Sequence, residues 1–124
     1  MKFMTMVSSD ETMGPPPPAL MNAIMALGAD AMKAGVLVEQ GGLMRTAAGG
    51  RIRVTKGTLT FTDGPFAESK EVIGGYAVYS VKSKDEVLEW ARRFMQIHID
   101  HWPGWEGVSE VRQIFDPADF APNC

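Results

Sequence analysis

The chain has 124 residues, 45% hydrophobic and 22% charged, with a formal net charge of -3 at pH 7. That length suits a single domain with one core, and the composition is that of a globular chain rather than a disordered one. The basic groups Arg51/Arg53 and Arg92/Arg93 are too small to form a basic stripe, so nucleic acid is a poor partner. The one cysteine, Cys124, offers neither an intrachain disulfide nor a cysteine-based metal cluster. Met1 to Ser9 is not signal-like, and no run approaches the roughly 18 apolar residues of a membrane span. A cytosolic protein is the expectation.

Lys2 to Val7 reads as a first strand, apolar on both faces and therefore interior. Ser8 to Gly14 is loop-like, and Pro15 to Pro18 is a stiff lead-in to a helix. That helix runs from about Pro17 to Ala34, with Leu20, Ile24, Leu27, Ala31 and Ala34 on one stripe and Gly35 as its stop. Gly28 lies inside it, where glycine costs about 1 kcal/mol against alanine. It marks either close packing or simple tolerance, and tolerance is the simpler reading. Val36 to Val38 begins a second strand that continues irregularly toward Met44.

Arg51 to Thr55 and Thr58 to Thr62 both alternate with period two, around a Lys56-Gly57 turn. Pairing Thr55 with Thr58 sets Val54 opposite Leu59 and Ile52 opposite Phe61, so the apolar pairs share one face. Tyr76 to Val81 is a nearly continuous apolar run, as expected of a central strand. Ser83-Lys84-Asp85-Glu86 is a capping box that starts a second helix, which continues to about His98. Val108 to Phe115 is the last strand, and Asp116 to Cys124 is a tail.

The order β-α-β, hairpin, β-α-β points to a ferredoxin-like α+β domain: a mostly antiparallel sheet with two helices on one face. The other face would carry some of Phe3, Val7, Tyr76, Val78, Tyr79 and Ile114. An apolar patch of that size favours sheet-to-sheet pairing with a second copy, as in dimeric α/β barrels. Loops folding over that face are the alternative.

Asp63-Gly64-Pro65-Phe66-Ala67-Glu68-Ser69-Lys70-Glu71, followed by Val72-Ile73-Gly74-Gly75-Tyr76, resembles the signature of DGPF proteins, a branch of the YCII-related family. The similarity runs from Met1 to about Phe120, so the domain is 1–120 and 121–124 a tail. It takes in Met1-Lys2-Phe3-Met4, Ala34-Gly35-Val36-Leu37 and Val87-Leu88-Glu89-Trp90-Ala91. The resemblance implies a ferredoxin-like fold and a homodimer with a cleft between subunits. Some members of the family resemble small-molecule enzymes, among them a dehydrochlorinase with a suggested His-Asp pair whose His lies near the start of the first helix. This chain has Pro15 to Pro18 and Ala19 there, so that half of the pair does not carry over. DGPF proteins also resemble partners of alternative sigma factors, which keeps a regulatory, non-catalytic reading open.

Asp63 shares the parity of Leu59 and Phe61. If the strand continues, it points to the buried face, where desolvation would suit it to proton transfer. A turn-capping role beside Gly64-Pro65 is the alternative. Lys70 and Glu71 read as solvated charges. His98 and His101 can share one helical face, as acid-base or ligand contacts or as helix-end packing. Two histidines and one nearby aspartate are too thin a set for a metal, and no cofactor motif is present. Trp102 and Trp105 form an aromatic loop suited to an apolar ligand, a dimer contact or a lid, and Tyr76 is a further aromatic candidate for such a lining. The leading expectation is a small-molecule binder or acid-base enzyme with a cleft near Asp63. The other is an interaction module.

Overall fold

The computed structural model describes residues 1–65 and 71–120. Phe66 to Lys70 of the signature-like segment, and the tail 121–124 with Cys124, lie outside the described residues. Six strands and two long helices follow in the order β1 (Lys2–Ser9), α1 (Pro18–Lys33), β2 (Leu37–Gly42), β3 (Gly50–Thr55), β4 (Thr58–Asp63), β5 (Val72–Ser80), α2 (Lys84–His101) and β6 (Gly107–Gln113). Four strands form one sheet, in the order β2-β5-β1-β6, and every neighbouring pair is antiparallel. With both helices packed on one face, this is the ferredoxin-like α+β arrangement. The hairpin β3-β4 is an insertion between the second and third strands of that core.

Helix ends follow the local chemistry. The Val36 amide donates to the Ala31 carbonyl and the Gly35 amide to that of Met32. Gly35 has φ +74°, so α1 closes in the left-handed turn that glycine adopts without strain. At the start of α2 the Glu86 amide donates to Ser83 Oγ at 3.2 Å. The returning arm of the capping box differs from the expectation: the Glu86 carboxylate accepts from the Lys82 amide, one residue before the cap. The second helix also runs one turn beyond His98.

Strand parity decides which side chains meet the helices. Phe3 pairs with Tyr79, Thr5 with Ala77 and Val7 with Gly75, and this set faces α1 and α2. Phe3, Ala77, Tyr79, Ala31, Val36 and Val87 make the buried cluster. Fully burying Leu20 and Val87 contributes roughly 1.5–3 kcal/mol each. Of the residues expected on the opposite face, Tyr76 and Val78 are there, whereas Phe3, Val7 and Tyr79 lie under the helices. Among the described residues no helix is long and apolar enough to cross a membrane.

The hairpin has the expected register, with Val54 opposite Leu59, Ile52 opposite Phe61 and Asp63 opposite Gly50. Lys56 at φ 51° and Gly57 at φ 78° make the tight turn that matches strand twist. Its apolar face, however, does not pack on the core. Ile52, Val54, Leu59 and Phe61 are 64%, 69%, 59% and 70% exposed. The pair forms its own two-stranded sheet without a ladder to the main one, so alternation here marks a face that is apolar but uncovered within one chain.

Candidate functional site

The site is built from the last turns of α2. Val87, Ala91 and His98 are the buried residues of that helix and share one face, with Phe94 one turn before His98. His98 Nδ1 lies 2.8 Å from the Phe94 carbonyl oxygen. A carbonyl only accepts, so Nδ1 carries the hydrogen and Nε2 keeps its lone pair in the neutral ring. Burial pushes the His98 pKa below its ordinary value, opposed by the bond to Phe94.

Aromatic rings enclose the imidazole. Phe94 lies 4.9 Å and Trp105 4.4 Å from it, centroid to centroid. Trp105 arrives there by a turn: its amide donates to the Trp102 carbonyl across Pro103 and Gly104, and Gly104 has φ +80°. Proline then glycine at the two central positions is the chemistry of a type II turn. The turn brings Trp105 back alongside Trp102, with centroids 6.0 Å apart. Gly107 gives it room, because a Cβ there would run into the Trp105 ring and lie 2.7 Å from the Ser8 carbonyl oxygen.

These rings form one end of a cavity of about 770 Å³ between the sheet and the helices. Val7, Leu20, Ile24 and Phe94 are among its apolar walls, while Thr5, Gln40 and His98 bring polar groups. No buried polar side-chain atom among the described residues is left without a partner. No donor among them reaches His98 Nε2, so that atom is not fully buried, and His98 borders the cavity. Gln40 owes its position to Gly28: a Cβ on Gly28 would overlap the Gln40 amide nitrogen and come within 3.2 Å of Gln40 Cδ. Gly28 therefore leaves room for the Gln40 amide, the far end of a flexible side chain, and the position tolerates glycine without the backbone requiring it.

The rim joins two exposed segments. The Glu11 carboxylate accepts from the Thr46 amide and, at 2.9 Å, from the Thr46 hydroxyl, while the Arg45 guanidinium donates to the Glu11 carbonyl. The bond from the Thr46 amide is the main cause of a lowered Glu11 pKa. Gly64 locks onto this clasp: its amide donates to the Gly49 carbonyl at 3.0 Å, and a Cβ would overlap the Thr46 carbonyl oxygen. The Asp63-Gly64-Pro65 segment thus braces the cavity rim through backbone contact.

The structure brings His98, Trp102 and Trp105 to one cavity. Tyr76 borders it from β5, but its ring lies over Gly41 on the opposite face, where the Glu39 carboxylate raises the phenol pKa. His101 is half-buried at the helix end and does not line the cavity. Asp63 is exposed and does not line the cavity that His98 borders, which corrects the inward aim expected if the strand stayed on the core: the hairpin leaves the core, and parity follows the hairpin. Thr5 and Gln40 escaped the sequence reading. Thr5 has a signal, as the one polar residue within Phe3-Met4-Thr5-Met6-Val7, whereas Gln40 has none before the helix is docked. Among the described residues no group of three or more His, Cys, Asp or Glu is placed to hold a metal.

The family profile described as the YCII-related domain matches residues 1–116. The chain belongs to the YCII-related family. An uncharacterized protein from Rhizobium meliloti (strain 1021) is 38% identical over 61 residues, which is 49% of this chain and 49% of that protein. The chain thus spans about half the length of that relative. In this YCII-related domain the matched residues include the central sheet, both helices and every residue of the cavity.

Proposed function

We propose that this YCII-related domain binds a small organic molecule in the cavity between sheet and helices, with His98 as the group available for acid-base chemistry. One observation carries the reading: a buried imidazole, fixed through Nδ1 by its own helix and left without a described partner at Nε2, borders a largely apolar cavity. The volume lies within the range of small-molecule sites, and few polar groups on apolar walls is their usual make-up. A neutral imidazole near physiological pH is also a competent general base. The site is centred on His98 rather than on Asp63.

A ligand screen by protein NMR tests this. Compounds that bind as proposed shift the Trp105 indole and His98 ring signals and leave Trp90 unmoved. Trp90 stacks on Tyr79 under Arg93, outside the cavity, and so acts as an internal control. Hits that shift Trp90 alone, or a broad screen of aromatic and carbonyl compounds without hits, overturn the reading.

The exposed face of Ile52, Val54, Leu59 and Phe61 supports a second role, as a protein contact. A lone two-stranded hairpin is marginally stable in water, and four large apolar groups on one of its faces favour a covering partner. We favour a second copy of the chain, and a regulatory partner is the other outcome. Sedimentation velocity across a concentration series should show a dimer that Phe61→Asp converts to monomer. A wild-type monomer at every concentration excludes the homodimer.

A further inference from the structure

The geometry points to an uncharged ligand: a flat apolar ring system carrying one hydroxyl that donates its hydrogen to His98 Nε2. This rests on the cavity being the ligand site, and three features narrow the chemistry. The first is the tautomer. With Nδ1–H committed to the Phe94 carbonyl at 2.8 Å, the neutral ring offers the cavity an acceptor and nothing else. No described side chain supplies Nε2 with a donor, so a ligand hydroxyl would be its partner.

The second is the wall around it. Trp105 and Phe94 flank the imidazole at 4.4 and 4.9 Å, and Leu20 and Ile24 continue the apolar surface. Both rings pack tilted against the imidazole itself, so what they present to a ligand is an aromatic surface, and aromatic ligand rings stack or meet edge-to-face on such surfaces. The third is where the charges are. Asp10, Glu11 and Arg45 border the cavity at its rim, where Asp10 accepts from the Thr12 amide, Glu11 from the Thr46 amide, and Arg45 donates to the Glu11 carbonyl. Among the described residues no charged side chain perturbs His98, so none is placed beside it to receive a carboxylate, a phosphate or an ammonium group. An ionic group seated against His98 would therefore lose its hydration without a counter-charge at that end of the cavity. Thr5 and Gln40 each donate or accept, so a second oxygen on the ligand finds a partner of either polarity.

Three probes on the full chain test this: 2-naphthol, its methyl ether and 2-naphthoate, which share a ring system and differ in the polar group. Binding is followed at the Trp105 indole, and the ring nitrogens of His98 are read by long-range proton–nitrogen correlation. The naphthol should bind with a shift at Nε2 while Nδ1 stays fixed. The ether should bind about tenfold or more weakly, the factor expected when a buried acceptor loses its donor. The naphthoate should be weaker than the naphthol. In His98→Leu, or His98→Phe if the first does not fold, the naphthol-to-ether ratio should fall toward one while both still shift Trp105. If ether and naphthol bind equally in the wild type, or the naphthoate binds best, this ligand class is wrong and the cavity stands as a site. If none of the three shifts Trp105 at its solubility limit, the cavity reading falls with it.

Discussion

Replacing Gly28 by alanine sets helix propensity against the shape of the cavity wall. In the interior of α1 the change should gain about 1 kcal/mol. The new Cβ would overlap the Gln40 amide nitrogen and lie 3.2 Å from its Cδ, so the side chain must swing away. Gln40 is exposed, and the atoms struck are the far end of a flexible chain, so the backbone of β2 need not move. Lost packing of one solvated amide costs at most about 0.5 kcal/mol, the low end of a net hydrogen bond. The net expectation is a gain of about 0.5–1 kcal/mol, or roughly 2–5 °C in Tm for a domain of this size. Thermal unfolding by circular dichroism measures the gain, and the Gln40 side-chain amide signals report the displacement. A ligand that uses the amide should bind more weakly to the more stable protein. A lower Tm, or Gln40 signals that do not move, would refute the packing argument.

Two further outcomes follow from the site. His98 is held neutral by burial, so as pH falls through about 6.5 the unfolded chain takes up a proton that the folded one refuses. Stability should therefore fall as pH drops below that value, and level off once the folded imidazole also takes up its proton. Denaturant unfolding across that window should show a shallower pH dependence in His98→Leu than in the wild type, and equal slopes would show that His98 is not a buried neutral group. Gly64→Ala drives a Cβ into the Thr46 carbonyl, a collision between backbones that no rotamer relieves. It should cost about 1–3 kcal/mol, as overpacking does, and speed hydrogen exchange at the Thr46 amide that Glu11 holds. Unchanged Thr46 protection would mean that Gly64 does not brace the rim.

Local patterns decided much of this fold before any contact was known. The apolar stripe of α1, its Gly35 stop, the Ser83 cap and the register of the hairpin each depend on residues within a few positions, where one chemistry dominates. The βαβ order then leaves few topologies for the sheet. His98, Trp102 and Trp105 were legible as a group because they lie within eight residues, joined by a turn that Pro103-Gly104 encodes.

Tertiary structure alone decided the rest. Alternation in β3 and β4 shows that one face is apolar, but not what covers it. That is why Asp63, which parity aims inward only if its strand stays on the core, stands with an exposed hairpin. Spacing could not separate His98 from His101, because helical position sets an angle and only the docked sheet says which angle is inside. Thr5 and Gln40 reach the cavity through strand pairing with β5, and Gly28 matters because Gln40 comes from another element. Side-chain direction along one element is local, whereas burial is a property of the surfaces that meet it. The sequence therefore determined the elements, and their docking determined the site.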